Sequence, residues 1–504
     1  MSENNNAIQH IVIVGGGSSG WMSAAALAQA LRGQCRITLI ESDEIGTVGV
    51  GEATIPSIKI FNQYLGIDES EFLKFTQGTF KLGIEFINWG KQDHQYFHPF
   101  GTFGADFDQV PLYQYWLRSR SEGDTSSLFD YSMAWCAAKN GKMVLTCRDP
   151  KLIQSTAEYA YHIDAGLYAK FLRRYAEARG VIRTEGIVVN AKLQNNTGFI
   201  ESLQLADGSV IAADFFIDCS GFRGLLIEET LHTGYEDWSH WLPCNSAIAV
   251  PTEKHSELLP YTKSIAHSAG WQWRIPLQHR TGNGHVYCNN FMNDASAQDI
   301  LVNNLTAKIL AEPRQLRFTT GHRKKFWNKN CVAIGLAAGF MEPLESTSLH
   351  LVQTAIMRVI ALFPNRDFDP LIAQEYNRVT QLEYQGIRDF IILHYKATQR
   401  DDSEFWRYCA AMPIPENLQY KIDHFKRAGR LVSTQTELFV NASWLAVFVG
   451  QGIIPESYAP LVDQRTHVDA KRMLASLCNS IQQALVNMPS HTQVIEQYCR
   501  AEKI

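Results

Sequence analysis

The feature that most constrains this chain is a run of six residues near its start. The β-branched stretch Ile11 to Val14 leads directly into Gly15-Gly16-Gly17-Ser18-Ser19-Gly20, and Trp21 to Leu31 is alanine-rich and helical in character. Strand, glycine turn and helix in immediate succession put the spacing Gly15-x-Gly17-x-x-Gly20 where α/β folds hold a dinucleotide pyrophosphate. The first glycine permits a tight turn, the second lets backbone approach the phosphates, and the third allows close helix–strand packing, while the helix amino terminus stabilises negative charge. Arg36 to Ile40 forms the next strand, and Glu41 at its end lies 21 positions beyond Gly20, placed to accept hydrogen bonds from ribose hydroxyls. A plain turn would explain the glycines alone, but not this context. The spacing does not separate FAD from NAD.

The 504 residues suggest about three domain-sized units at roughly 150 residues each. Against 51 Asp+Glu stand 46 Lys+Arg, a net charge of −5, so the basic excess that phosphate neutralisation along DNA or RNA requires is missing. Nucleic acid is not an expected partner. Met1 to His10 is polar, without the charged and apolar regions of a signal peptide. The best apolar stretch, Trp444 to Val449, falls far short of the ~20 residues of a membrane span. None of the ten cysteines forms Cys-x-x-Cys or a zinc-spaced cluster, so they read as free thiols of a cytoplasmic protein with no metal site. Further on, Ile182 to Val189, Phe199 to Leu205 and Val210 to Ile217 read as strands, with Asp207-Gly208 as a hairpin turn. From Leu349 the apolar residues recur at helical spacing, interrupted at Pro364, Pro413 and Pro415. Repeats and Gly/Ser linkers are absent, which predicts one body with closely joined subdomains.

Two later segments favour FAD. Ala213 to Gly221 (ADFFIDCSG) and Val332 to Gly339 (VAIGLAAG) resemble the two segments that return to the cofactor in FAD-dependent hydroxylases. The second usually carries Gly-Asp. Leu336 stands in place of that Asp, which argues against an ordinary hydroxylase.

Three further strings converge on one family. Gly49-Val50-Gly51-Glu52-Ala53-Thr54-Ile55-Pro56, Gly270-Trp271-Gln272-Trp273-Arg274-Ile275-Pro276 and Glu342-Pro343-Leu344-Glu345-Ser346-Thr347-Ser348 resemble signatures of the flavin-dependent tryptophan halogenases. The likeness runs from about Ile11 to the helical end. It implies an α/β fold: a FAD-binding module of the flavin hydroxylase type with mixed sheets, residues 1–348, fused to a mostly helical substrate-side subdomain, 349–504. FAD would touch Gly15, Gly16, Gly17, Gly20, Glu41, Ser42, Ala53, Val188, Leu336 and Leu349. Reduced flavin would come from a separate reductase and react with O2, and chloride or bromide near Thr347 and Ser348 would become hypohalous acid. A small aromatic substrate and a possible homodimer complete the expected partners.

Each remaining candidate has a plain reading beside the implied one. Lys81, flanked by apolar residues in Thr79 to Phe86, would ordinarily be a snorkelling surface lysine. A desolvated lysine instead shifts down from about 10.4 and becomes an amine nucleophile or poised donor; the resemblance makes Lys81 catalytic, holding the hypohalous acid or forming a haloamine. Glu345 reads as a first-turn carboxylate favoured by the helix dipole, or, by resemblance, as the base that takes the ring proton. Thr347 and Ser348 resemble a halide-binding pair at a helix amino terminus, although a Gly often stands where Ser348 is. Trp271 and Trp273 share one face of a strand, either as core packing or as the wall that keeps the organic substrate from the flavin. His98 and Phe100 resemble the pair that encloses the aromatic substrate, with Trp444 as the opposite wall; a loop histidine and a core tryptophan are the alternatives.

The expected activity is thus halogenation of an electron-rich aromatic through Lys81 and Glu345. A flavin-dependent aromatic hydroxylase and a non-enzymatic flavin sensor are the rival readings. Free-tryptophan enzymes of the family carry paired tyrosines and a glutamate for the amino-acid backbone. Here the stretch from Ser433 through Phe439 up to Trp444 is shorter and no Tyr-Tyr pair occurs in the chain, which favours indole or a substituted indole, or a larger ligand through a more open mouth, over free tryptophan, with Glu437 as the one candidate contact for an amine.

Overall fold

The computed structural model describes residues 6–45, 51–434 and 436–502. Gly49 and Val50 of the string ending at Pro56, and Gln435, lie outside the described residues. Strand His10–Val14 is buried along its whole length. It lies inside a six-stranded sheet ordered Trp327–Asn328, Cys331–Ala333, Phe215–Asp218, His10–Val14, Arg36–Glu41, Ile182–Glu185. Ile11 sits beside Ile37 and Phe215 in parallel register, and Trp327–Asn328 alone runs antiparallel. A central parallel strand is covered on both faces, which is why its sequence is a continuous apolar run.

Two of the strands expected from the sequence are each divided. Ile182–Glu185 completes the parallel sheet, whereas Val188–Leu193 starts an antiparallel meander with Ile200–Leu205 and Val210–Ala212. The chain then leaves the meander at Ala213-Asp214 and re-enters the parallel sheet at Phe215–Asp218. Asp207-Gly208 makes the expected turn, with Gly208 at φ +87° and the Asp207 carboxylate accepting from the Ser209 N–H.

A second, seven-stranded sheet runs Arg314–Arg317, Ser246–Glu253, Arg280–Tyr287, Gly270–Pro276, Thr262–His267, Gly83–Ile87, Gln95–Pro99. Its one parallel pair is Thr262–His267 with Gly83–Ile87. A three-stranded sheet of Gly51–Ala53, Ala160–Asp164 and Thr79–Lys81 sets Lys81 opposite Ala160.

The last third is helical: Ser348–Ala361, Pro370–Lys396, Glu404–Ala411, Glu416–Ala428, Asn441–Gly450 and His467–Val486 are its main helices. The breaks fall at Pro364 and around Pro413 and Pro415, where proline removes a backbone donor. Helix Ser348–Ala361 packs on Ser18–Leu31, and Asn441–Gly450 packs on strand Gln95–Pro99, so one apolar core runs through both parts of the chain. Among the described residues no helix is long and apolar enough to cross a membrane, and no His, Cys, Asp or Glu group is arranged to hold a metal ion.

Candidate active site

A cavity of about 650 Å³ is lined from both large sheets. The turn Gly15 to Ser19 with Glu41 and Ser42 forms one part of its wall; Ala53, Val188, Trp271, Trp273, Leu336, Thr347, Ser348 and Leu349 form others. Gly20 does not line it. Gly15 has φ +111°, and a Cβ there would fall 2.3 Å from the Cys219 carbonyl oxygen. At Gly20 a Cβ would meet the Gly15 carbonyl oxygen at 1.8 Å, and at Gly16 it would meet Glu41 Oε2 at 1.4 Å. Around Gly17 nothing lies within 4 Å. Three of the glycines are therefore required by the chain's own close packing, and Gly17 leaves open space on the cavity side.

Helix Ser18–Leu31 begins here, and its first N–H groups, which like those of any helix have no intrahelical acceptor, are not taken up by a side-chain cap at Gly17. Glu41 is fixed by Arg183, whose Nε donates to Oε1 at 2.6 Å. A cradle of this shape, with anion-seeking donors beside an oriented carboxylate, fits a dinucleotide such as FAD.

Lys81 lies behind the cavity wall. It is fully buried, and its Nζ donates to the Thr54 carbonyl at 3.0 Å and to Ser346 Oγ at 2.8 Å. Ser346 itself lines the cavity, in a left-handed conformation at φ +59° between the short turn Pro343–Glu345 and helix Ser348–Ala361. Burial pushes the Lys81 amine down to about 7, against the pull of Glu345 toward higher values.

Glu345 is not a cap on the following helix. Its carboxylate, buried, reaches away to two imidazoles: His98 Nδ1 hydrogen-bonds Oε2 at 2.8 Å, and His394 Nε2 lies 2.8 Å from Oε1. Burial alone would raise this carboxyl, but the two histidines outweigh it and hold the group at about 2.

The sequence candidates thus fall into two groups that meet at Ser346. Phe100 presents its ring 5.0 Å from Lys81 Nζ and 6.4 Å from His98. Trp444 meets His98 through Phe390, whose ring is 5.6 Å from His98 and 5.0 Å from Trp444, with Phe439 stacked on Phe390 at 3.8 Å. Trp271 and Trp273 are 6.2 Å apart on one face of their strand, and the Trp271 N–H donates to Glu342 Oε2 at 2.9 Å. Glu437 is engaged by Lys421 Nζ at 2.8 and 2.9 Å.

Ser346, His394, Tyr96, Phe390 and Phe439 were missed in the sequence. Ser346 lies within the string Glu342 to Ser348. His394 and Phe390 are four residues apart in one helix, a spacing that shows a shared face but not what the face meets.

The family described as Tryptophan halogenase matches residues 10–467. The chain is similar to Xcc4156, a flavin-dependent halogenase from Xanthomonas campestris, at 44% identity and TM-score 0.95 over 99% of this chain and 100% of that one. It is similar to BrvH, a flavin-dependent halogenase from Brevundimonas sp. BAL3, at 43% identity and TM-score 0.94 over 98% and 99% of the two chains. The tryptophan 7-halogenase RebH of Lentzea aerocolonigenes is 35% identical, over 90% of this chain and 91% of that protein.

Proposed function

Because this chain belongs to the flavin-dependent tryptophan halogenase family, whose members are enzymes, we propose that it halogenates an indole-type ring at Lys81, outside the cavity that binds FAD. The observation that carries this reading is the Lys81–Ser346 hydrogen bond of 2.8 Å, since Ser346 is also a wall of the cavity. Bound reduced flavin, delivered by a separate reductase, supplies with O2 the oxidising power that turns chloride or bromide into hypohalous acid.

The turn Gly15 to Gly17 and the helix behind it hold the pyrophosphate, with Glu41 on a ribose. Ser42, Ala53, Val188, Leu336 and Leu349 line the rest of the cofactor. Thr347 and Ser348 hold the halide on the first N–H groups of a 14-residue helix. Trp271 and Trp273 keep the organic ring out of the cavity. Lys81 meets the hypohalous acid at Ser346. With its amine near 7, it is available both as a nucleophile and as a hydrogen-bond donor. As a nucleophile it exchanges an N–H for an N–halogen bond and releases water; either way the halogen leaves as an electrophile and the ring carbon supplies the bonding pair.

Glu345 then takes the proton from that carbon, and the C–H pair returns to the ring. A carboxylate near 2 is a weak base, but the proton on a cationic ring adduct is acidic enough that ionisation, not strength, is what matters. The work divides near residue 348. The first part binds FAD and carries Lys81 and Glu345; the second supplies His394, Phe390 and Trp444 around the substrate.

The substrate reading rests on Glu437. Its pairing with Lys421 removes the one candidate partner for an amino-acid ammonium, which would then be buried without compensation. Steady-state competition between indole and free tryptophan, with a flavin reductase, chloride or bromide, and product mass spectrometry, tests this. A higher kcat/KM for indole is expected. A higher value for tryptophan overturns the substrate class, and no halogenated product from any aromatic overturns the function.

A further inference from the structure

Glu345 is gripped from two sides, and the two grips differ. His98 is in ring contact with Phe100, Phe390 and Phe439, while His394 reaches the carboxylate from helix Pro370–Lys396. The His394 ring is stacked on Phe86 at 4.6 Å and held edge-on by Phe390 at 5.4 Å. Its Nε2 and Glu345 Oε1 are 2.8 Å apart, not aligned as an ideal hydrogen bond, and among the described residues neither has another hydrogen-bond partner. Two buried polar atoms so placed serve each other.

Which atom carries the proton follows from the groups behind. The Gln451 side chain is 2.8 Å from the His394 carbonyl oxygen, which can only accept, so the amide must present its NH2 group there. That same nitrogen reaches Tyr96 Oη at 3.3 Å, so Tyr96 Oη accepts a hydrogen bond from Gln451 and has its own O–H left to donate. The remaining partner of Tyr96 Oη is His394 Nδ1, at 2.8 Å. Nδ1 is then an acceptor, and the proton of a neutral His394 sits on Nε2, facing Glu345.

We propose that His394, backed by Tyr96 and Gln451, is a positioning residue that always offers Glu345 an N–H and so keeps this carboxylate ionised and oriented toward the ring proton. The inference deepens the reading of Glu345 as the base and rests on it. Burial lowers the His394 imidazole and raises the Tyr96 phenol well above its usual range, which agrees with a neutral ring receiving the O–H of a protonated tyrosine. The titratable groups facing this carboxylate are Lys81 from strand Thr79–Lys81, Tyr96 and His98 from strand Gln95–Pro99, and His394 from helix Pro370–Lys396. Proton transfer from ring carbon to Glu345 leaves His394 unchanged, and its N–H disfavours protonation of the resting carboxylate.

The test is the pH profile of kcat for halogenation in the FAD-loaded enzyme, for Tyr96→Phe, His394→Phe and His394→Gln. Without the offered N–H, Glu345 protonates at higher pH. The acid limb should therefore move up in Tyr96→Phe and His394→Phe, with kcat at pH 7 down at least ~10-fold in His394→Phe and KM little changed. His394→Gln keeps an N–H near the Nε2 position and should recover much of the loss. Tyr96→Phe removes one oxygen atom and keeps the test valid if a His394 variant fails to fold. An acid limb unmoved in Tyr96→Phe, or a folded His394→Gln no better than His394→Phe, overturns the inference. Wild-type halogenation by Glu345→Gln would instead overturn the base role itself, so the two failures are distinguishable.

Discussion

The amine of Lys81 is the group whose environment departs furthest from what its side chain ordinarily seeks. It titrates near 7 in the folded protein and near 10.5 once the chain unfolds. Between those pH values the unfolded chain binds the extra proton, so the stability of the native protein rises with pH across that window and is reduced below it by a few kcal/mol. Compared with Lys81→Met, which cannot titrate, the wild type should therefore gain melting temperature as the pH is raised from about 7 toward 10. A difference between the two that does not change with pH would mean that the amine is not buried as described. Glu345 calls for a kinetic test. Glu345→Gln keeps the shape and removes the charge, so kcat should fall while KM stays close to wild type, because the proton arrives only in the transition state. An effect confined to KM would reduce Glu345 to a packing role.

Among the elements, the glycine turn was the most legible in the sequence and gives the sharpest contrast between neighbouring positions. Gly17→Val adds a side chain into open cavity space, so FAD affinity should drop at least ~10-fold while the thermal melt of the FAD-free protein stays within a few degrees of wild type. Gly20→Val drives its Cβ into the Gly15 carbonyl and should lower the melt itself. Equal FAD affinity in Gly17→Val and wild type, measured by titration, would mean that this turn does not hold the dinucleotide. The strand breaks near Gly186 and Ala213 were not legible, because both halves of each run are extended, and what divides them is the partner each half finds in a different sheet. Glu345 shows the same limit. Its place just before a helix suggests a first-turn carboxylate, but the left-handed turn at Ser346 separates it from the helix and aims it at His98 and His394.

At the scale of the whole molecule, the site joins residues that sequence spacing cannot relate. Lys81 and Ser346 are 265 positions apart, and Tyr96 and His394 are 298 apart. The strings around Lys81 and Glu345 point to both residues by likeness, whereas Phe390 and His394 arrive from a long helix whose buried face is otherwise ordinary core. What the assembled chain adds is a partition: a cavity that fits FAD on one side of Ser346, and a buried amine and carboxylate on the other. The measurement that tests this partition most directly is Lys81→Ala, loaded with FAD and given a flavin reductase, O2, halide, an indole substrate and a small chemical trap for hypohalous acid. The partition predicts that FAD affinity and trapped oxidant stay near wild type while halogenated indole disappears. Wild-type levels of halogenated indole from the folded variant would contradict it.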